Sequence, residues 1–230
     1  MGQFIDLTAK DGFTFPAYVA EPAGKPKGAV VVVQEIFGVN SHIRSVADGY
    51  AAEGYLAVAP ATFHRVKQGV ELGYSEDDMK NGFGLKTAVE ALPAPGVLQD
   101  LQAAVDYASK AGKVGIVGYC WGGLLTWRAA AEVSGLSAAV PYYGGGIQNH
   151  LQEAASINVP VQFHYGALDA HIPPEAVTSV RTAMTGKRGS EVFVYEGADH
   201  GFNCWARASY HQRSAALAHG RALAFLAEAL

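Results

Sequence analysis

Lys113-Val114-Gly115-Ile116-Val117-Gly118-Tyr119-Cys120-Trp121-Gly122-Gly123-Leu124 decides how the rest of the chain is read. It begins as a short apolar, β-branched run, the composition of a buried strand. It then passes through Gly-x-Cys-x-Gly and continues into Leu125-Thr126-Trp127-Arg128-Ala129-Ala130-Ala131, which reads as a helix. A strand turning sharply into a helix, with glycines two residues either side of one side chain, is the pattern of a nucleophile elbow. The central residue sits in a strained backbone conformation, where Cβ atoms on its neighbours would strike the sheet or the helix. The corner lifts Cys120 above the sheet at the positive end of the helix, where backbone N–H groups favour the thiolate, cysteine's reactive form. Taken alone, a Gly-rich turn holding an ordinary core cysteine fits the same letters.

The chain has 230 residues, half of them hydrophobic and 17% charged. That length suits one α/β domain over residues 1–230 with a sizeable core. A formal net charge of -4 provides no basic face for nucleic acid. No apolar run reaches membrane-spanning length, and residues 29–33 are strand-sized, so no membrane partner is expected. The first residues lack the basic start and apolar core of a signal peptide. Two cysteines do not make a disulfide framework. A cytoplasmic enzyme, monomeric or weakly homo-oligomeric, is the simplest fit. The histidines lack ligand spacing such as His-x-x-x-His, and Gly144-Gly145-Gly146 lacks the Lys-Ser/Thr of a phosphate loop. No metal and no cofactor are therefore expected.

Around the elbow, strands and helices alternate. Residues 4–7 and 13–19 flank Lys10-Asp11-Gly12 as a hairpin. Residues 29–34 form a strand buried on both faces, and Ser41 is the expected N-cap of a helix running to about Glu53. Residues 56–60 are a strand. Residues 63–84 show little period and read as a surface excursion or partial lid. Residues 96–111 suit an amphipathic helix. Beyond the elbow helix come strands at 138–143, 159–165 and 191–195, a helix at 173–184 and a C-terminal helix at 206–230. This alternation predicts a mostly parallel sheet flanked by helices, with right-handed crossovers and a minimal lid.

Cys120, Asp169 and His200 each fall just past the C-terminal end of a predicted strand, the edge where open parallel sheets bind ligands. Their order, nucleophile then acid then base, is that of the α/β-hydrolase fold. In such a triad Cys120 attacks a carbonyl, His200 takes and returns the proton, and Asp169 orients the imidazole and stabilises its cation. Asp199 is a rival acid, His171 a competitor, and His164 a core histidine inside its strand. The backbone N–H of Trp121 is the first oxyanion donor. The second comes from Glu35-Ile36-Phe37-Gly38, with Ile36 ahead of Phe37.

Several of these stretches resemble the dienelactone hydrolases (carboxymethylenebutenolidases). They are Gln34-Glu35-Ile36-Phe37-Gly38-Val39-Asn40, Gly118-Tyr119-Cys120-Trp121-Gly122-Gly123, Tyr142-Tyr143-Gly144, Gly166-Ala167-Leu168-Asp169 and Ala198-Asp199-His200-Gly201-Phe202. The resemblance spans nearly the whole chain. It implies a triad of Cys120, Asp169 and His200, a small ester or lactone substrate opened toward maleylacetate, and substrate contacts at Tyr143, Phe37 and Arg207. It also implies that the Glu35 carboxylate keeps the thiol protonated at rest; an ion pair with Arg44 or a loop lysine is the alternative. Departures from the family concern substrate. Cys204 stands where a carboxylate-binding arginine is expected, Arg65 and Lys67 do not align with the other, and Trp121 is bulkier than an aliphatic residue. Arg207 either reaches the site or is a surface residue at a helix start. Sibling readings are an esterase or thioesterase for a neutral substrate, or a reactive-thiol sensor marked by a Cys120–Cys204 disulfide.

Overall fold

The β-branched runs become the strands of one eight-stranded sheet in the computed structural model, which describes residues 2–230. In chain order the strands are β1 (Gln3–Thr8), β2 (Thr14–Ala20), β3 (Ala29–Val33), β4 (Leu56–Pro60), β5 (Val114–Tyr119), β6 (Leu136–Tyr142), β7 (Gln162–Gly166) and β8 (Glu191–Tyr195). Their order across the sheet is β1-β2-β4-β3-β5-β6-β7-β8. The β1–β2 hairpin joins antiparallel, and every pairing from β4 to β8 is parallel. All five residues of β3 are fully buried, and each of its valines contributes roughly 1.5–3 kcal/mol by leaving water.

The helices are α1 (Ser41–Ala52), α2 (Glu76–Glu90), α3 (Leu98–Ala108), α4 (Trp121–Glu132), α5 (Pro174–Ala183) and α6 (Gln212–Ala229). Side chains of a strand alternate between faces. On β5 a Cβ at Gly115 would meet Leu226 of α6, whereas one at Gly118 would meet Thr126 of α4. These helices therefore cover opposite faces of the sheet. Tyr50 and His219 join α1 to α6 on the first face, with ring centroids 5.7 Å apart. None of the described helices is long and apolar enough to cross a membrane.

Three expectations change. Asn40, not Ser41, caps α1: its side-chain oxygen accepts from the Ile43 N–H at 3.3 Å, and its amide nitrogen donates to the Leu72 carbonyl at 3.0 Å. The presumed excursion at 63–84 contains most of α2. Ser75 and Asp78 form a reciprocal capping box there, with Glu76, Asp77 and Asp78 in the first turn. Finally, α6 begins six residues later than expected, because residues 203–210 form turns that fold back on the site.

Arg65 anchors the connection into α2. Its guanidinium donates to both oxygens of Asp100, the shortest contact being 2.6 Å, and to Asp11 at 2.8 Å. Asp100 is buried, which pushes its pKa up while Arg65 pulls it down. Arg65 is thus a structural tie between the hairpin, α3 and the β4–α2 segment.

Candidate active site

β5 ends at Tyr119, and α4 starts one residue after Cys120. That single residue makes the whole turn, at φ 56° and ψ -120°. A positive φ is rare for a residue with a Cβ and stores strain on the order of 1–3 kcal/mol. The flanking glycines allow it. A Cβ on Gly118 would overlap the Gly122 carbonyl and the Thr126 hydroxyl, and one on Gly122 would overlap the carbonyls of Gln34 and Val33. The Cys120 N–H donates to the Tyr142 carbonyl at 3.0 Å, which ties the corner to β6.

The loops after β7 and β8 bring Asp169 and His200 to this corner. His200 Nε2 lies 3.1 Å from Cys120 Sγ, and His200 Nδ1 lies 2.7 Å from Asp169 Oδ2. The other Asp169 oxygen accepts the His171 backbone N–H at 2.9 Å, so both oxygens are engaged and the carboxylate is buried. Burial works against the cationic form of His200. The Cys120 sulfur and the Asp169 carboxylate outweigh it and lift the imidazole to about 10. Asp199 accepts the backbone N–H of His200 at 2.6 Å. The His171 ring stands edge-on to His200 at 5.2 Å and lines the cavity. His164 is buried in β7 with Tyr195 and Gln162 on its two nitrogens, a core residue as expected.

A cavity of about 430 Å³ opens over Cys120. Ile36, Phe37, Trp121, His200 and Arg207 line it, so the loop after β3 and the first residue of α4 both face the sulfur's surroundings. Met79, Phe83 and Lys86 of α2 and Gln148 and Asn149 after β6 complete it. The sequence reading missed these five residues. The signal for α2 was Ser75-x-x-Asp78, a capping pattern. The Trp121 indole, expected to narrow the cavity, is buried; it stacks on Phe63 at 5.0 Å and donates to Glu90 at 3.1 Å.

Tyr143 departs from its expected role. It is fully buried at φ 35°, with its ring edge-on to His200 at 5.2 Å and to Phe202 at 5.3 Å. It lies behind the imidazole and is absent from the cavity lining. Arg207 is no surface residue. Its side chain is 13% exposed, its Nη1 donates to Glu35 Oε1 at 3.2 Å, and its guanidinium sits 5.7 Å from the Phe37 ring centre. Glu35 is buried, which raises its pKa, while Arg207 and His200 work in the opposite direction. Its ion-pair partner is therefore Arg207. Arg44, the expected alternative, pairs with Glu71 at 2.6 Å. Both cysteines are free thiols.

A doubly covered, mostly parallel sheet with a cysteine elbow at its centre defines an α/β hydrolase. Solved structures superpose along the whole chain. A Klebsiella pneumoniae subsp. pneumoniae protein provisionally named a dienelactone hydrolase matches at TM-score 0.82 and 37% identity, covering 98% of this chain and 99% of that one. The Anabaena variabilis dienelactone hydrolase, at 15% identity, speaks for the fold alone, with TM-score 0.75 over 100% of this chain and 98% of that one. The profile of the dienelactone hydrolase family matches residues 15–230. The carboxymethylenebutenolidase of Pseudomonas putida is 35% identical over 228 residues, which cover 97% of this chain and 95% of that protein. The chain belongs to the dienelactone hydrolase family and is a hydrolase of ester or lactone bonds.

Proposed function

We propose that this hydrolase opens small lactones or esters by acyl transfer through Cys120, His200 and Asp169. The observation that carries the reading is His200 bridging the Cys120 sulfur and the Asp169 carboxylate at 3.1 and 2.7 Å. His200 accepts the thiol proton, and its cation is stabilised by the buried carboxylate behind it. The Cys120 sulfur attacks the substrate carbonyl, and the backbone N–H groups of Ile36 and Trp121 receive the developing oxyanion. The C–O bond breaks as His200 returns its proton to the leaving oxygen. Water, deprotonated by His200, then attacks the thioester; the acid is released and the Cys120 thiol is restored.

Arg207 and Phe37 supply the substrate contacts. Arg207 and Lys86 put two cations beside an otherwise largely apolar cavity, which favours a substrate carrying a carboxylate. Both are already paired, Arg207 with Glu35 and Lys86 with Glu90 at 3.0 Å. An anionic substrate therefore competes with Glu35 for Arg207 and displaces the Glu35 carboxylate from that pair. Those same pairings favour the second reading, a sibling esterase for neutral substrates that leaves both ion pairs intact. A cytoplasmic location accompanies either reading, since two cysteines in 230 residues make no disulfide framework.

The test is hydrolysis of dienelactones, neutral activated esters and thioesters by wild type, Cys120→Ala and Arg207→Ala. Loss of all turnover in Cys120→Ala, with a preference for anionic lactones that Arg207→Ala abolishes, is the expected result. Turnover persisting in Cys120→Ala would overturn the mechanism. Wild-type turnover confined to neutral esters would move the chain to the second reading.

A further inference from the structure

Three residues meet behind the cavity, and two of them, His42 and Cys204, have no part in the acyl-transfer scheme. Glu35 follows β3, His42 lies in the first turn of α1, and Cys204 sits in the turns after His200. One ligand atom from each lies within 4.8 Å of the other two, and all three residues are buried. Neither ring nitrogen of His42 has a hydrogen-bond partner, and neither does Glu35 Oε2, although each residue is only about 1% exposed. Unpaired buried polar atoms of this kind cost ~1–3 kcal/mol each. A thiol, an imidazole with free lone pairs and a carboxylate oxygen form a donor set suited to zinc.

We infer that Glu35, His42 and Cys204 form a site for a zinc-like divalent ion, separate from the Cys120–His200–Asp169 group. Three atoms no more than 4.8 Å apart share a centre about 2.8 Å or less from each, so small side-chain shifts reach zinc bond lengths of about 2.0–2.3 Å. Both His42 ring nitrogens lack a hydrogen-bond partner, so either can present its lone pair to the ion. Cys204 is a free, buried thiol. Metal binding therefore expels one proton from Cys204 to solvent, and the resulting thiolate and carboxylate together neutralise the two charges of the ion. Arg207 is the opposing charge. It holds Glu35 through Oε1, which leaves Oε2 as the ligating atom. The ring of Trp205, more than half exposed, stands edge-on to His42 at 5.9 Å. An occupied site would clamp Glu35 and lower hydrolysis without touching Cys120.

Cobalt(II) titration of the full chain tests this, because a cobalt–thiolate bond gives a near-ultraviolet charge-transfer band and a four-coordinate site gives strong visible bands. The expected result is one equivalent of cobalt bound, bleached by zinc. The bands should survive in Cys120→Ser and vanish in Cys204→Ser, and the affinity should fall at least tenfold in His42→Gln, which also decides the matter should Cys204→Ser not fold. A wild-type protein without the bands would overturn the inference. Bands lost in Cys120→Ser but kept in Cys204→Ser would also overturn it, since the ion would then sit on the Cys120–His200 pair.

Discussion

Cys120, Asp169 and His200 stand on turns whose backbone is fixed by strand ends, glycines and main-chain hydrogen bonds. Met79, Phe83 and Lys86 stand on a helix fixed mainly by side chains: Arg65 against Asp11 and Asp100, and Glu90 against the Trp121 indole. The floor of the cavity admits almost no variation, because a single Cβ at Gly118 or Gly122 collides with backbone. The wall can exchange side chains at modest cost. Such a division lets one reaction persist while the accepted substrate changes.

If the floor acts as a unit, Asp169→Asn should be the most damaging change at this site. The amide would favour the wrong imidazole tautomer, and kcat should fall on the order of 10³–10⁴-fold with little change in KM. A loss below tenfold in steady-state kinetics would break the distinction between floor and wall. Next in size is Gly122→Ala, whose Cβ meets two immovable carbonyls. Destabilisation of ~3 kcal/mol or more is expected in urea unfolding, against less than ~1 kcal/mol for Phe83→Leu on the half-exposed face of α2.

The third prediction concerns acid. His164 is buried and brought down to about 3 by desolvation, aided by Arg221, while an unfolded histidine titrates near ~6.5. Between those values the unfolded chain holds a proton that the folded chain refuses. This contribution is therefore complete above about pH 6.5 and is lost as pH falls toward 3. From pH 7 to pH 5 the wild type should lose ~2 kcal/mol more than His164→Gln; equal losses would remove His164 as an acid-sensitive element of the core. The smallest effect belongs to the wall. Glu90→Gln keeps a hydrogen bond to Trp121 but frees Lys86, so kcat/KM for an anionic ester should rise a few-fold while that for a neutral ester stays level. A fall for both esters would mean that Glu90 supports the floor as well.

This division also governs what could be read from the sequence. The placement of the floor residues was legible because its pattern is local: Gly-x-Cys-x-Gly declares its own geometry, and Asp169 and His200 follow apolar runs with the composition of strands. The wall was obscure because Gly82 and Gly84 dilute the period of α2, leaving Ser75 and Asp78 as its only clear mark. Gly82 is there for a reason unrelated to helix propensity, since a Cβ would overlap the Ile36 carbonyl. Tyr143 was misplaced because its left-handed turn swings the ring behind His200 instead of into the cavity. Arg207 was ambiguous for a similar reason: the turns that delay α6 carry it back to Glu35. The Glu35–His42–Cys204 group has no spacing to detect, since Cys204 is brought to the nearby Glu35 and His42 only by the fold.

The approach of Gly82 belongs to a wider pattern in the loop after β3. The Glu35 carbonyl accepts from the Gln34 side chain at 3.3 Å, the Ile36 carbonyl faces Gly82, and the Phe37 carbonyl accepts from the Leu72 N–H at 2.8 Å. Because a trans peptide is planar, restraining each carbonyl also aims the N–H at the opposite end of the same unit. The Ile36 N–H is thus oriented from behind, through the Glu35 carbonyl, before any substrate arrives. If that N–H receives the oxyanion as proposed, its aim is set before substrate arrives, and turnover should begin at its full rate from the first cycle, with no lag while the loop rearranges.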